Sequence, residues 1–262
     1  HRVLNRSLTS GFYFGLNEKK LTHSTHQHAS DSTYCPNCSS KLFYDTTYYS
    51  HLGDWECKNC MLKRPSLDLS SVEYYPISGT YNHYNTLAAV LLAKHIGIEQ
   101  KNIDEALHEF TPAFGRQETL NVSGKKMQIF LSKNPTSLNQ SLRTITDLNA
   151  KSVLLVLNDR IPDGLDVSWI WDVDFEDYID DFKNIIISGD RSYDMALRVK
   201  YSNQKSKIKN QNYNSKFKII QDLKEAVKHG LELTVLNETL YVLPTYSAML
   251  EVRKILTGKK IL

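Results

Sequence analysis

The sequence predicts an α/β protein, because its second half has the pattern of a parallel sheet with helices on both faces. From residue 118 onward, strand-like and helix-like segments alternate, as they do in consecutive βα units. Within that region, residues 153–157 (VLLVL) form a continuous apolar run, which is typical of a strand buried on both faces. A length of 262 residues is sufficient for two domains.

Composition and charge narrow the class of protein. The chain is 41% hydrophobic and 23% charged, as in ordinary globular proteins. Its net charge of +3 is too small to indicate nucleic-acid binding, and its one basic cluster, Lys205, Lys207 and Lys209, lies in a polar surface insertion at 202–215. No apolar run is long enough for a transmembrane helix, and we expect no signal peptide. Because the chain begins with His, we expect a fragment that starts inside a domain.

The first half is less regular than the second. Residues 12–16 predict a strand and turn, and residues 72–77 predict a further strand. Two helices are expected, at 82–95, where Gly97 ends the helix, and at 102–110. A Pro-containing hinge follows, and we place domain boundaries at 1–112 and 113–262.

The second half alternates between the two kinds of element. Its predicted strands are 118–122, 126–131, 153–157, 185–187, 217–220 and those of the stretch 231–243, and its predicted helices are 137–148, 175–182, 193–201, 222–229 and 247–256.

The four cysteines form a CxxC…CxxC pattern with 18 residues between the two pairs, as in a small ribbon at about 30–64. Cys35, Cys38, Cys57 and Cys60 are therefore predicted to bind one structural zinc ion in a tetrahedron. Four thiolates leave no open position, so the metal would stabilise the ribbon without taking part in chemistry. Disulfides are the alternative, and they would suit an exported chain.

An acidic segment, NDRIPDGLDVSWIWDVDFE, spans residues 158–176 and follows the apolar run. It therefore leaves the carboxyl end of a core strand, where open α/β sheets place ligands and chemistry. Two tryptophans, Trp169 and Trp171, lie among its six carboxylates, which is unusual for a solvated loop. The alternative interpretation is a turn followed by the acidic start of a helix.

Several motifs resemble those of Mur ligases. Residues 79–89 (GTYNHYNTLAA) resemble a helix start in the Mur ligase central domain, 114–118 (FGRQE) resemble its hinge, and 132–135 (SKNP) resemble a turn. Together with the cysteine ribbon, the acidic segment, SGDRSYDMALRVKY and VLPTYSAML, they resemble the MurT family, the subunits of lipid II isoglutaminyl synthases. The resemblance covers the whole chain. It implies part of a Mur ligase central domain with an inserted zinc ribbon, followed by a Rossmann-like Mur ligase C-terminal domain.

The resemblance also implies an activity in peptidoglycan synthesis. The complete enzyme would use ATP and Mg²⁺ to amidate the α-carboxyl of D-glutamate in lipid II, in the cytoplasm at the inner face of the membrane. Asn82, Asn85 and Arg116 would be ATP-site residues, although helix capping and a surface Arg explain them equally. No GxxxxGK[ST] phosphate loop occurs, so we expect this chain alone to lack ligase activity. A non-catalytic glutaminase-docking module and, least favoured, a zinc-ribbon nucleic-acid-binding protein are the alternatives.

The resemblance implies a partner, a GatD-like glutaminase that supplies ammonia and takes its third triad residue from this chain. The triad carboxylate would be Asp166, in the DGLD turn, where it would orient and stabilise a partner histidine. Asp163 is the alternative, although it could instead cap the turn. We expect Asp166 to be exposed at the carboxyl edge of the sheet and not paired with a Lys or Arg. Trp169 and Trp171 are expected to be packing or interface residues, with at least one of them packing.

Overall fold

A computed structural model describes residues 11–17, 33–113, 115–205 and 217–258. The chain divides between Thr111 and Pro112 into two compact units. The domain boundaries drawn from the sequence, 1–112 and 113–262, stay a prediction, because compactness alone does not show that each part folds independently. None of the helices in the described part of the chain is long and apolar enough to cross a membrane.

The ribbon of the first unit is built on an antiparallel hairpin of β1 (Phe43–Tyr49) and β2 (Leu52–Glu56). Gly53 allows the two strands to approach closely, since a Cβ there would collide with the backbone carbonyl of Thr46. The two CxxC pairs flank the hairpin on either side in the sequence. The hairpin therefore brings the pairs to one end of the ribbon.

Two helices follow the ribbon, α1 (Thr80–His95) and α2 (Gln100–Glu109). The strand predicted at 72–77 was wrong, because these residues form an irregular loop. Its apolar side chains instead pack around Leu16 and Leu87 in a small core. The strand predicted at 12–16 is reduced to one bridge between Phe14 and Leu69.

The second unit contains a six-stranded sheet in the order β3-β4-β8-β5-β6-β7. Only the β3–β4 pair is antiparallel, and the other four pairs are parallel, which confirms the predicted α/β class. The strands are β3 (Arg116–Val122), β4 (Lys125–Phe130), β5 (Ser152–Val156), β6 (Asn184–Ser188), β7 (Phe217–Ile219) and β8 (Thr239–Pro244). The region 231–243 was only partly strand, because the preceding helix continues to Leu233.

Helices cover both faces of this sheet. Along β5, Val153 and Leu155 face one core cluster, and Leu154 and Val156 face the other. The first cluster includes residues of α3 and α4, and the second includes residues of α5 and α6. The strand is therefore buried on both faces, as its apolar run predicts. The helices are α3 (Pro135–Asp147), α4 (Ser192–Lys205), α5 (Leu223–Leu233) and α6 (Tyr246–Thr257).

The connection from β5 to β6 is not the helix predicted at 175–182. It forms three short 3₁₀ turns, Ser168–Asp172, Phe175–Asp177 and Ile179–Asp181. The backbone carbonyls of Ile170 and Val173 accept hydrogen bonds from the buried Arg198 side chain of α4. The short turns place Phe175, Ile179 and Phe182 in the main core, and the backbone N–H of Asp174, just before the predicted helix, donates to Asn139 of α3. Packing against the neighbouring helices therefore takes the place of a continuous helix.

Candidate functional site

Asn158 is the first residue of the acidic segment, and it connects three strand ends. Its backbone N–H donates to Thr245 Oγ1 at 3.1 Å, and its side-chain amide donates to Ser247 Oγ at 3.1 Å. Its Oδ1 accepts from the backbone N–H of Asp190 at 3.0 Å. The carboxyl ends of β5, β6 and β8 are thus joined by one buried amide side chain. This residue fixes the point at which the acidic segment leaves the sheet.

Asp163 is half-buried and is engaged within the chain. Its carboxylate accepts a hydrogen bond from the backbone N–H of Ser247 at 2.8 Å and a second from the Ser247 hydroxyl. Ser247 lies in the first turn of α6, where backbone N–H groups have no partner within the helix. Asp163 therefore acts as a cap for α6, supplied by a distant loop.

Asp166 is exposed, three residues further along the same turn. Its Oδ1 accepts a hydrogen bond from the backbone N–H of Ser168 at 2.8 Å. That N–H, followed by the Ser168 hydroxyl, lowers the pKa of the Asp166 carboxyl, and the slight burial opposes this only weakly. Among the described residues, no Lys or Arg forms an ion pair with Asp166. The carboxylate is therefore charged at neutral pH and accessible, as expected; its role in a triad stays a prediction.

Two of the five other carboxylates of the acidic segment, Asp159 and Glu176, pair with arginines of the same unit, and so does the nearby Asp190. The pKa of Arg191 is raised, chiefly by hydrogen bonds to Asp194 and Asp159. Asp172 is exposed, as Asp166 is, so the arginines neutralise only part of the charge of the segment. The pairs are Asp159–Arg191 at 3.0 Å, Asp190–Arg160 at 2.8 Å and Glu176–Arg198 at 2.7 Å.

The two tryptophans have different environments. Trp169 is partly buried and packs against the main core, which confirms that at least one of them packs. Trp171 is 49% exposed and lies over the Arg198 guanidinium, whose central carbon is 5.8 Å from the ring centre. Arg198 holds this turn through cation–π contact and through hydrogen bonds to the backbone carbonyls of Ile170 and Val173.

The residues suggested for an ATP site belong to different units. Asn82 is buried in the first turn of α1, where its amide donates to the Ser78 carbonyl at 2.7 Å. The exposed Asn85 donates to Asn82 Oδ1 at 3.4 Å, so the two amides are paired with each other. Arg116, at the start of β3 in the other unit, is exposed. These contacts agree with local structural roles, and the nucleotide assignment stays a prediction.

The four cysteine sulfurs converge at the end of the ribbon, all within 4.8 Å of one another. Cys35 and Cys60 are 3.5 Å apart, and Cys38 and Cys57 are 3.4 Å apart. No disulfide joins any of the four, so each sulfur is available as a metal ligand. A tetrahedral zinc with Zn–S bonds of about 2.3 Å would place its sulfurs roughly 3.8 Å apart, so this arrangement fits the ion.

Hydrogen-bond donors also surround the sulfurs. The backbone N–H of Asn37 points to Cys35 Sγ at 3.4 Å. The pKa of the Cys38 thiol is lowered to about 5, first by a hydrogen bond from the Asn59 side chain and then by Ser40. Such donors stabilise thiolates, which is the form that binds a metal ion. The ribbon is thus a candidate structural metal centre.

Comparison with known proteins agrees with this architecture. A family model described as MurT ligase C-terminal matches residues 131–249. The MurT subunit of lipid II isoglutaminyl synthase from Streptococcus pneumoniae is 31% identical to this chain, over 95% of the chain and 58% of that protein. The corresponding Staphylococcus aureus subunit is 32% identical, over 72% of the chain and 47% of that protein. The chain belongs to the MurT family.

This MurT family member spans about half the length of the curated relatives it matches. Its fold is also similar to that of a pseudomurein peptide ligase type C from Methanothermus fervidus, with a TM-score of 0.63 and 19% identity. The match covers 94% of the chain and 52% of that ligase. This MurT chain therefore shares the α/β fold of that peptide ligase.

Sequence reasoning missed three residues that support the candidate site. Asn158 directly follows the buried run of β5, and Ser247 follows the last strand, so both could have been expected at the carboxyl edge. Arg198 carries no such signal, because its position in α4 resembles that of any helix arginine. Only its burial identifies it as a clamp on the acidic segment.

Proposed function

We propose that this chain is part of a MurT subunit of an ATP- and glutamine-dependent ligase that amidates the α-carboxyl of D-glutamate in lipid II. In this proposal its second unit docks a GatD-like glutaminase and supplies Asp166 as the third member of the glutaminase triad. The work would take place in the cytoplasm, at the inner face of the membrane. Family membership supports the reaction class, and the geometry around Asp166 supports its role as a residue supplied to the glutaminase.

The observation that carries the proposal is the contrast between Asp163 and Asp166. Asp163 is occupied by Ser247, whereas Asp166 is exposed and accepts a hydrogen bond at Oδ1 from the backbone N–H of the neighbouring Ser168. Oδ2 of Asp166 can therefore accept a hydrogen bond from a histidine of another protein. A triad carboxylate orients the imidazole, holds its tautomer and stabilises the imidazolium that forms during the reaction. The lowered pKa of Asp166 keeps the required negative charge at neutral pH.

The remaining site residues have supporting roles in the proposal. Asn82, Asn85 and Arg116 contribute to the ATP site of the complete enzyme, where bound Mg²⁺–ATP supplies the phosphoryl group that activates the carboxylate. The four cysteines hold a structural zinc ion. The exposed side chain of Arg116 leaves its guanidinium available to phosphate, and the geometry of the cysteines suits a tetrahedral ion.

Asp166→Asn tests the proposal, because it preserves shape and removes charge. The complete native protein would be reconstituted with the GatD-like glutaminase of the same organism, and glutamine hydrolysis would be measured. We expect a loss of about 10²–10⁴-fold by analogy with other triads, with complex formation intact. Asp172→Asn, an exposed acid of the same segment, is the matched control and should have no effect.

Two outcomes would contradict the proposal. Glutamine hydrolysis that is unchanged in Asp166→Asn would remove the triad role. A wild-type complex that hydrolyses glutamine but does not amidate lipid II in the presence of Mg²⁺–ATP would favour the non-catalytic docking module instead.

A further inference from the structure

Four exposed apolar side chains form one surface of the second unit. Tyr193, Leu197 and Tyr201 are 62%, 48% and 47% exposed, and their spacing of four residues places them along one face of α4. Trp171, 49% exposed, extends this row, since its ring centre is 5.8 Å from that of Tyr201. We call these four residues the α4 aromatic face. Within the described part of the chain, they remain open to solvent.

The α4 aromatic face is held in place by the core beneath α4 and by Arg198. On the opposite side of α4, Met195, Ala196 and Val199 are buried in the main core. The buried Arg198 fixes the backbone on both sides of Trp171 through the carbonyls of Ile170 and Val173. A preformed surface of this kind loses little conformational entropy on binding. Tyr and Trp are also the residues enriched at protein interfaces and at their energetic centres.

The face is linked to Asp166 through one turn of the chain. Trp171 belongs to the turn Ser168–Asp172, and the first N–H of that turn donates to the Asp166 carboxylate. A protein that places a histidine within hydrogen-bond distance of Asp166, about 2.6–3.2 Å, must also cover the surface beside this turn. The protein that contacts Asp166 is therefore the partner that we expect on the α4 aromatic face.

We infer that the α4 aromatic face is the surface on which the glutaminase that uses Asp166 is seated. The inference rests on the proposed function and adds a separation of roles. The face provides affinity through apolar burial, and Asp166 provides catalysis after docking. A substitution in the face therefore weakens the complex without changing hydrolysis in the complex once it has formed.

The test uses the complete native protein and the GatD-like glutaminase of the same organism. Leu197→Asp should reduce their affinity at least about 10-fold in calorimetry, because a charge would be buried in the apolar contact. Glutamine hydrolysis at saturating glutaminase-to-protein ratio should remain at the wild-type level. Tyr201→Ala, a milder change, should reduce affinity in the same direction and keeps the test valid if Leu197→Asp folds poorly.

Leu236→Asp is the matched control. Leu236 is 76% exposed, but it precedes β8 and so lies at the amino edge of the sheet, opposite the edge that carries Asp166. Its substitution should leave affinity unchanged. Thermal unfolding followed by circular dichroism checks that each variant is folded.

Three results would overturn the inference. If Leu197→Asp and Tyr201→Ala bind normally while Asp166→Asn abolishes hydrolysis, the docking surface lies elsewhere and the proposed function stands. If Leu197→Asp changes only the self-association of this protein in sedimentation, the face is covered by a second copy. If the wild-type protein binds no glutaminase, the proposed function fails together with the inference.

Discussion

The carboxylate of Asp163 accepts a hydrogen bond from the backbone N–H of Ser247 at 2.8 Å, although the two residues are 84 positions apart in the sequence. The contact joins the turn after β5 to the first turn of α6. It satisfies an N–H group that the helix cannot pair itself and places a negative charge at the positive end of the helix. It also fixes the turn that carries Asp166. Asp163 therefore stabilises the fold, while Asp166 stays accessible to solvent.

Asp163→Ala should lower the free energy of unfolding by about 1–2 kcal/mol, the range measured for the loss of helix caps. The change leaves the Ser247 N–H, in the first turn of α6, without its acceptor. Urea denaturation would measure the loss. Asp172→Ala, in the same segment but exposed, should leave the transition unchanged. Equal midpoints for Asp163→Ala and wild type would show that the cap has no energetic role.

Asp163→Asn should reduce the glutaminase activity of the complex less than Asp166→Asn does. An amide at this position can still accept the Ser247 N–H, so the turn stays in place, and the proposed triad charge is untouched. Side-by-side kcat measurements at saturating partner would rank the two variants. A larger loss in Asp163→Asn would exchange the two assignments.

Ser168→Ala should raise the pKa of Asp166 but leave it below the ordinary value for an aspartate. The backbone N–H of Ser168, the largest cause of the lowered pKa, remains, while the hydroxyl is lost. A carboxyl with a lowered pKa stabilises the fold above its unfolded-state pKa, and this contribution is lost as the pH falls through the folded-state pKa. In Ser168→Ala this contribution should therefore be smaller, and its loss should be complete at a higher pH.

Carbon-13 NMR titration of the aspartate carboxyls would measure this shift. Ser168→Thr keeps both the N–H and a hydroxyl, and it should titrate as the wild type does. An Asp166 pKa that is unchanged by Ser168→Ala would assign the whole effect to the backbone N–H.

Protein purified without added metal should contain close to one zinc per chain, bound by the four clustered cysteines. Cys57→Ser should lose most of the metal, because a closed four-thiolate site has no spare ligand. Chelation should unfold the ribbon, whose apolar cluster is built largely from the cysteines themselves. Elemental analysis gives the zinc content, with Ser39→Ala as a control that should keep it. A Cys35–Cys57 disulfide in fresh material would contradict the prediction.

Arg198→Met should destabilise the protein by about 3–5 kcal/mol, as does the removal of one partner from a buried ion pair. The variant keeps much of the side-chain volume but removes the donors to the Ile170 and Val173 carbonyls and the partner of Glu176. Lys200→Met, two residues along α4 and exposed, is the control and should change stability little. Urea denaturation of both variants would give their free energies of unfolding. A much larger loss in Arg198→Met than in Lys200→Met would show that Arg198 stabilises the fold.

The sequence was sufficient wherever a short pattern carries its own physical meaning. The apolar run of β5 predicted a strand buried on both faces, because no solvated strand has that composition. The spacing of the cysteines predicted their convergence, since two CxxC turns on a hairpin meet at one end. The alternation of strands and helices predicted the α/β class, because consecutive βα units form a parallel sheet.

The same reasoning failed where distant groups compete for the backbone. Phe175, Ile179 and Phe182 have helical spacing, yet the segment forms 3₁₀ turns that bury all three side chains in the main core, while Asn139 of α3 accepts the backbone N–H of Asp174. Residues 72–77 are largely apolar, as in a strand, yet they form a loop from which Val72 and Tyr75 join a small core. In both places the pattern correctly predicted that the residues are buried, but it predicted the wrong secondary structure.

Which acid of the DGLD turn is accessible was decided only by tertiary structure. Asp163 and Asp166 have similar local surroundings in the sequence, and either could cap a turn or face a partner. The fold separates them because β5 and β8 are neighbours, which brings the start of α6 to Asp163 and leaves Asp166 open. The N–H group that binds Asp163 belongs to a helix residue 84 positions away, and no local sequence pattern encodes a contact of that range.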